Sequence, residues 1–293
     1  MNGSNNPQDH TQLTCTTCNY NLTGLDLAGN CPECGDLILQ TCFWCDYDLT
    51  NTDPNSNCPE CGVPATASIG HGILAPVPIE TLRTVHTGMR MATTLVLVYI
   101  VTAITFTITA VWATSSLTNA QTYWVVVAGP TINNLILLAI TLGWWKISTP
   151  LPNIPSLVEA IDRRTFLKVM IFVFAAITGV SMIMSYIPTD YDPMAKTTTL
   201  DVINGIIGLI AIIIMLLFFI AQVRYIGWIA KLVRNKKMEK RAKHLVWSGP
   251  IISIVGTFLL FLGPLIILIL YWNMIEYTRR DLKKIIKAAE PIM

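Results

Sequence analysis

The chain has 293 residues, of which 53% are hydrophobic and only 13% charged, with a net charge of +2 and a mean hydropathy of +0.53. That balance excludes a soluble globule of ordinary composition, in which about a quarter of residues are charged, and it fits a small domain plus a membrane domain. The near-neutral total hides a segregation: residues 1–82 contain no lysine or arginine, but carry Asp9, Asp26, Glu33, Asp36, Asp46, Asp48, Asp53, Glu60 and Glu80.

Residues 1–10 are polar and are expected to be disordered. They show neither the basic start nor the apolar core of a signal peptide. All eight cysteines follow, as the CxxC pairs Cys15/Cys18, Cys31/Cys34, Cys42/Cys45 and Cys58/Cys61. They form an internal repeat. Shifted by 27 positions, Cys15–Leu22 falls on Cys42–Leu49, and Asn30-Cys31-Pro32-Glu33-Cys34-Gly35 on Asn57-Cys58-Pro59-Glu60-Cys61-Gly62. Each unit reads C-x2-C-x12-C-x2-C, a spacing suited to a tetrahedral metal. The region 11–63 is thus expected to hold two small β-type zinc ribbons, 15–35 and 42–62.

The residue after each CxxC is Asn19, Gly35, Asp46 or Gly62. These types tolerate the left-handed backbone of a metal knuckle, in which N–H groups point at sulfur. The repeat also sets the pairing. Cys15, Cys18, Cys31 and Cys34 are expected to share one metal, and Cys42, Cys45, Cys58 and Cys61 a second. An interleaved pairing would cross only seven residues between Cys34 and Cys42. Tyr20/Leu22 and Tyr47/Leu49 are expected to give each unit a small apolar patch. Units this small cannot bury enough surface to fold alone, so the metal would supply on the order of 10 kcal/mol of folding free energy per site. Two Zn²⁺ are the expected cofactors. Iron, which Cys₄ also binds, is the lesser alternative, and disulfides are the alternative for an exported domain. Four thiolates leave no position for a catalytic water, which points to structural metals. They also make an already acidic module more so, and a module without lysine or arginine is unsuited to nucleic acid.

Residues 64–90 read as a linker, with Pro64, Pro76, Pro78, Gly70 and Gly72; His71 reads as a solvated loop histidine. Five apolar segments of spanning length follow: 91–112, 123–145, 166–187, 202–221 and 250–272. Aromatics mark their ends as an interfacial belt would: Trp112, Tyr123, Trp124, Trp144, Trp145, Tyr186, Tyr271 and Trp272. The fold class is therefore mostly α, a polytopic helical membrane domain of about five transmembrane helices preceded by the two ribbons.

Lysine and arginine alternate between the loops, which places the N-terminus and its ribbons in the reducing cytoplasm. One feature conflicts. The tail, 273–293, carries Arg279, Arg280, Lys283, Lys284 and Lys287, and five spans would put it outside. Gly263-Pro264 would allow the last segment to be re-entrant instead. Two basic amphipathic stretches flank that segment and are expected to lie among the headgroups. In 223–246 the stripe is Tyr225, Ile229, Leu232 and Val233, and in 274–289 it is Ile275, Leu282, Ile285, Ile286 and Ala289. The cations of the first are Arg224, Lys231, Arg234, Lys236, Lys237, Lys240, Arg241 and Lys243. Opposite charge and a shared side suggest that this segment docks the acidic ribbons.

The spans hold no Asp, Glu or His at their centres, so transport chemistry has little to work with. Pro130, Asn133, Asn134 and Asn204 are expected to serve helix packing before permeation, and Thr102, Thr105 and Thr109 an interhelical face. No hydrolase, kinase or nucleotide-binding motif occurs, and no small-molecule substrate is indicated.

The phrase Cys15–Gly35, repeated at Cys42–Gly62, resembles that of planctomycete-type bacterial membrane proteins with N-terminal zinc ribbons. The closing Gly263-Pro264, Tyr271-Trp272-Asn273 and basic tail are similar to that group. The resemblance covers the two ends of the chain, and this chain has two ribbons where one is usual. It implies a bacterial inner-membrane location and carries no activity with it. The expected function is that of a multi-pass membrane protein whose acidic cytoplasmic ribbons bind a protein partner. The alternatives are a transporter or channel regulated by the ribbons, and a zinc- or redox-responsive sensor.

Overall fold

The computed structural model describes residues 13–15, 17–18, 20–70, 73–74, 76–116, 119–155, 161–184, 186, 199–258 and 262–289. The expected disordered N-terminus and His71 lie outside the described residues. Six helices are present: α1 (Ile79–Ser116), α2 (Asn119–Ile147), α3 (Ile161–Met184), α4 (Thr199–Leu232), α5 (Lys236–Phe258) and α6 (Leu262–Ala289). Among the described residues there is no strand, and the β character of the ribbons is confined to four isolated antiparallel bridges.

Four helices are long and apolar enough to cross a membrane, over Ile79–Trp112, Val127–Ile147, Ile161–Met184 and Gly205–Leu232. Their flanks expose large apolar side chains that only lipid would accommodate, among them Val101, Ile108, Phe172, Leu209 and Ile213. The α2 helix continues through Pro130.

Consecutive helices run antiparallel. The α1/α2 pair closes where two glycines meet: a Cβ on Gly88 would lie 2.8 Å from Gly143 O, and one on Gly143 would lie 3.2 Å from Ala92 N. Further along, Thr102 Oγ1 donates to Asn133 Oδ1 at 2.7 Å. Among the described residues, Thr105 and Thr109 bond to their own helix, to Val101 O and Phe106 O; both are exposed, so of the expected three-threonine interface Thr102 is the member seen to bond across it. The α2/α3 pair meets at Trp145 and Phe172, with ring centroids 5.5 Å apart, and the α3/α4 pair at Phe174 and Phe218, 4.7 Å apart.

The expected fifth span is not one helix. Segment 250–272 is shared between the end of α5 and the start of α6, with 259–261 outside the described residues. The two helices pack on each other and on α4. Gly249 sits against the Phe219 ring and Gly227 against Ala242, so α5 runs back along α4. Tyr271 Oη donates to Gln222 Oε1 at 2.7 Å, and Asn235 Nδ2 to Asp281 Oδ2 at 2.6 Å, so α6 returns in the direction of α4. The basic tail therefore ends beside Asn235 and His86, where Arg279 Nη1 lies 3.2 Å from His86 Nε2. The conflict raised by five spans disappears. Every lysine and arginine of the chain except Lys196, which lies outside the described residues, sits at this one end of the bundle, the end that carries the ribbons.

The amphipathic stripes also find a different place. Tyr225, Ile229, Leu232 and Val233 are buried, as are Ile275, Leu282, Ile285 and Ile286. They pack with Val85, Ile147 and Leu151 in one core at the ribbon end, so they face protein where headgroups were expected; Ala289 alone stays exposed. Trp144 and Tyr271, expected in the interfacial belt, stack in the same core at 6.4 Å. The expected linker is likewise part of it. A 3-10 turn at Ala65–Ser68, then Ile73, Leu74 and Val77, are buried between the ribbons and the helices, and α1 begins at Ile79. Apolar residues between the prolines and glycines explain this: they are too many to leave in solvent.

Stretch 223–246 is broken at an elbow. The α4 helix closes with paired bonds from Asn235 N to Ala230 O (2.8 Å) and Arg234 N to Lys231 O (3.0 Å). This is a Schellman ending, which requires a left-handed residue. That residue is Arg234, at φ +59°. A non-glycine residue there costs roughly 1–2 kcal/mol. Asn235 then caps α5, its Oδ1 accepting from Met238 N at 3.0 Å.

Candidate metal centres

Each CxxC pair sits on a tight turn. The backbone bonds Gly35 N to Cys31 O, Asp46 N to Cys42 O and Gly62 N to Cys58 O, at 2.8–2.9 Å, close the turns. Gly35, Asp46 and Gly62 take left-handed φ values of 75°, 63° and 72°, as the spacing requires; Asn19 lies outside the described residues. The bridges Thr14–Asn21, Asn30–Leu37, Thr41–Asp48 and Asn57–Pro64 bracket the four turns. Supporting turns repeat with the sequence: Asn21 and Asp48 accept from the N–H two residues on, as do Asp26 and Asp53.

These turns bring the sulfurs together in two groups, Cys15/Cys18/Cys31/Cys34 and Cys42/Cys45/Cys58/Cys61. Within each group all four lie within 4.8 Å of one another. Cys15 and Cys34 are 3.7 Å apart, and the pairs Cys18/Cys31, Cys42/Cys61 and Cys45/Cys58 are 3.6 Å apart. A disulfide would need about 2.05 Å. A tetrahedron with metal–sulfur bonds of about 2.3 Å puts its sulfurs about 3.8 Å apart, so both groups are geometrically suited to a metal ion.

The thiols differ in acidity. Burial opposes ionisation of Cys15, but the N–H groups of Cys18 and Thr17 and the thiols of Cys18 and Cys34 outweigh it and hold it down at about 7. Cys58 stands likewise at about 7: burial is outweighed by the N–H groups of Cys61 and Glu60 and the thiols of Cys45 and Cys61. Burial and three neighbouring sulfurs push Cys61 up to about 12 against the N–H of Val63. Crowded thiols that resist joint ionisation are what a divalent ion relieves.

The ribbons share a core of Leu22, Leu49, Ile38, Leu39, Ala65 and Ile69. Leu22 and Leu49 are buried as expected, whereas Tyr20 and Tyr47 are exposed. Gly70, at φ +50°, lets the connector lie on the first ribbon; a Cβ there would come within 2.3 Å of Thr14 O.

Among the described residues, the second ribbon is the one that meets the basic elbow. Lys231 Nζ lies 3.7 Å from the Trp44 ring centroid, and the Arg234 guanidinium 5.7 Å from that of Phe43. Lys236 Nζ donates to Asp46 Oδ1 at 2.5 Å, and Arg234 Nη2 to Ala67 O at 3.1 Å. Phe43 N donates to Ser68 Oγ at 3.2 Å, which ties the turn to the connector. Burial pulls Arg234 down to about 10, and the nearby Cys42 sulfur opposes that. Of the other cations named in the segment, Lys243 pairs with Glu239 at 2.8 Å, and Lys237, Lys240, Arg241 and Arg224 face outward.

The repeat explains the choice of ribbon. Phe43 and Trp44 stand where the first unit has Thr16 and Thr17, and Asp46 where it has Asn19. The first ribbon therefore lacks the docking aromatics and keeps Tyr20, Leu25, Asp26, Glu33 and Asp36 exposed. Sequence reasoning named the basic segment but missed Phe43 and Trp44, although their divergence within an otherwise faithful repeat was a readable signal. No family model matches the chain, and neither a curated protein nor a solved structure matches it.

Proposed function

We propose that this chain is a multi-pass protein of a bacterial inner membrane that presents two structural zinc sites on its cytoplasmic side, as an acidic module for binding and assembling a protein partner. The observation that carries this reading is the asymmetry of the ribbons. The second is fastened to the helix ends through Phe43, Trp44 and Asp46, and the first stands outward with its acidic and apolar groups exposed. The gathering of lysine and arginine at the ribbon end supports a cytoplasmic position, by the bias that orients membrane proteins. A reducing compartment would in turn keep the thiols reduced and available to zinc. Among the described residues, the buried polar side chains of the four candidate spans are Thr93, Thr141, Thr178 and Gln222, with no charge among them. That gives transport no support.

The test is crosslinking in intact membranes followed by purification. Full-length protein is compared with a variant in which Cys31 and Cys34 are serine. A partner that is crosslinked to the first and lost from the second supports the reading. An unchanged set of crosslinked proteins, with the first site's metal gone, refutes it.

A further inference from the structure

The elbow between α4 and α5 contains the one arginine held in a left-handed conformation, and that arginine lies against the second metal centre. Glycine would end α4 there without strain, so something other than helix termination accounts for the side chain. Its guanidinium reaches Ala67 O at 3.1 Å, stacks near Phe43 and lies within electrostatic reach of Cys42. Its Nε is buried and makes no hydrogen bond among the described residues. Four thiolates around a divalent ion carry two net negative charges, so a half-buried guanidinium beside Cys42 is balanced by the filled site.

We propose that Arg234 is a positioning residue through which metal in the second ribbon clamps the α4–α5 elbow and, with it, the α5/α6 hairpin. This rests on the zinc-site reading above and adds a division of labour: the second site governs the membrane domain, and the first faces the partner. The route is short. The metal fixes the turn Cys42–Asp46, which aims Phe43, Trp44 and Asp46 at Arg234, Lys231 and Lys236. The next residue, Asn235, caps α5 and holds Asp281 of α6 at 2.6 Å. A loosened turn thus releases the cap that joins three helices. The first site has no such route, because Thr16 and Thr17 replace the aromatics.

The test uses full-length protein in detergent, with zinc as the probe, and reads amide hydrogen exchange over 229–240 alongside metal content. Stripping the second site by changing Cys58 and Cys61 to serine should speed exchange there about tenfold or more. Serine at Cys31 and Cys34 should leave it unchanged. Arg234→Gly should also free the elbow while two zinc ions per chain are retained, which a role in helix termination alone would not produce. An elbow that stays protected in the second-site variant, or in Arg234→Gly, overturns the proposal. Should Arg234→Gly fail to fold, Arg234→Lys, with its charge kept and its fork lost, is read the same way, and the two cysteine variants decide independently. A clamp that fails while the first ribbon still captures a partner refutes the clamp and leaves the partner reading standing.

Discussion

The dock between the second ribbon and the elbow is expected to be held by its aromatics and not by its ion pair. The Lys236–Asp46 pair is short, but its side chains are 66% and 67% exposed, and such pairs contribute at most about 1 kcal/mol. Trp44 offers more. Its contact with Lys231 at 3.7 Å is worth about 0.5–2 kcal/mol. Its edge contact with Phe43 at 5.9 Å joins neighbours within the ribbon and orients the ring without adding to the dock. Burying half of an indole of roughly 200 Å² adds about 2.5 kcal/mol at 25 cal/mol per Å². These contributions overlap, so Trp44→Ala should weaken the dock by about 2–4 kcal/mol, or roughly 30- to 700-fold. Asp46→Asn keeps a residue type that tolerates φ +63° and removes only the charge, so it should cost less than about fivefold. Hydrogen exchange over 41–47 and 229–240 reads both variants. The dock should also survive about 0.5 M salt, where exposed charges are screened beyond a few ångströms. An Asp46→Asn protein as open as Trp44→Ala, or a dock lost to salt, would refute this ranking.

Four further outcomes are expected. A Cβ on Gly88 meets Gly143 O at 2.8 Å and Ile147 N at 2.9 Å, backbone atoms that cannot swing aside. Gly88→Ala should therefore cost about 1–3 kcal/mol in detergent unfolding. Gly179→Ala, with open space around its site, should gain up to about 1 kcal/mol from helix propensity. Mass spectrometry should find two zinc ions per chain at neutral pH and a progressive loss as pH falls, because every thiol must lose its proton to bind. Glu276 is held below the usual carboxylate range first by its bonds from Arg279, against some burial, and then by Arg280. A depressed carboxyl contributes stability above its unfolded value and loses it as pH falls through its folded one. Thermal stability should therefore decline in the acid range below about pH 4.5, and Glu276→Gln should remove that part of the dependence.

The sequence made the cysteine turns readable because metal geometry is local: spacing and a left-handed residue after each pair nearly determine the sulfur positions. Apolar length did the same for the first four spans. What stayed hidden depends on contacts between distant segments. The stripe at Tyr225, Ile229, Leu232 and Val233 looks the same whether it faces headgroups or protein, since both accept apolar surface. Only its packing against Val85 and Leu282 distinguishes them. The elbow left one local trace, Asn235 as a cap ahead of Met238, but a left-handed arginine before it follows no propensity. Gly263-Pro264 signalled that 250–272 would not be one straight span, yet both residues lie inside α6.

A duplicated module need not keep two copies of one role. Both ribbons retain the four cysteines, the buried leucine and the paired turns, because each of these holds the metal or the shared core. They differ where one copy touches the helices. Two threonines in the first place and Phe43-Trp44 in the second are both compatible with the C-x2-C spacing, since these positions lie between the cysteines and supply no ligand. The difference therefore reflects what lies outside the ribbon. For the second copy that is Lys231 and Arg234, at an elbow whose strained backbone glycine would relieve. Strain retained at a helix end, aromatics present in only one repeat and cations aimed at those aromatics are three independent departures from the simplest sequence. They converge on one contact, and a fold that needed the ribbon only as a tethered appendage would require none of them.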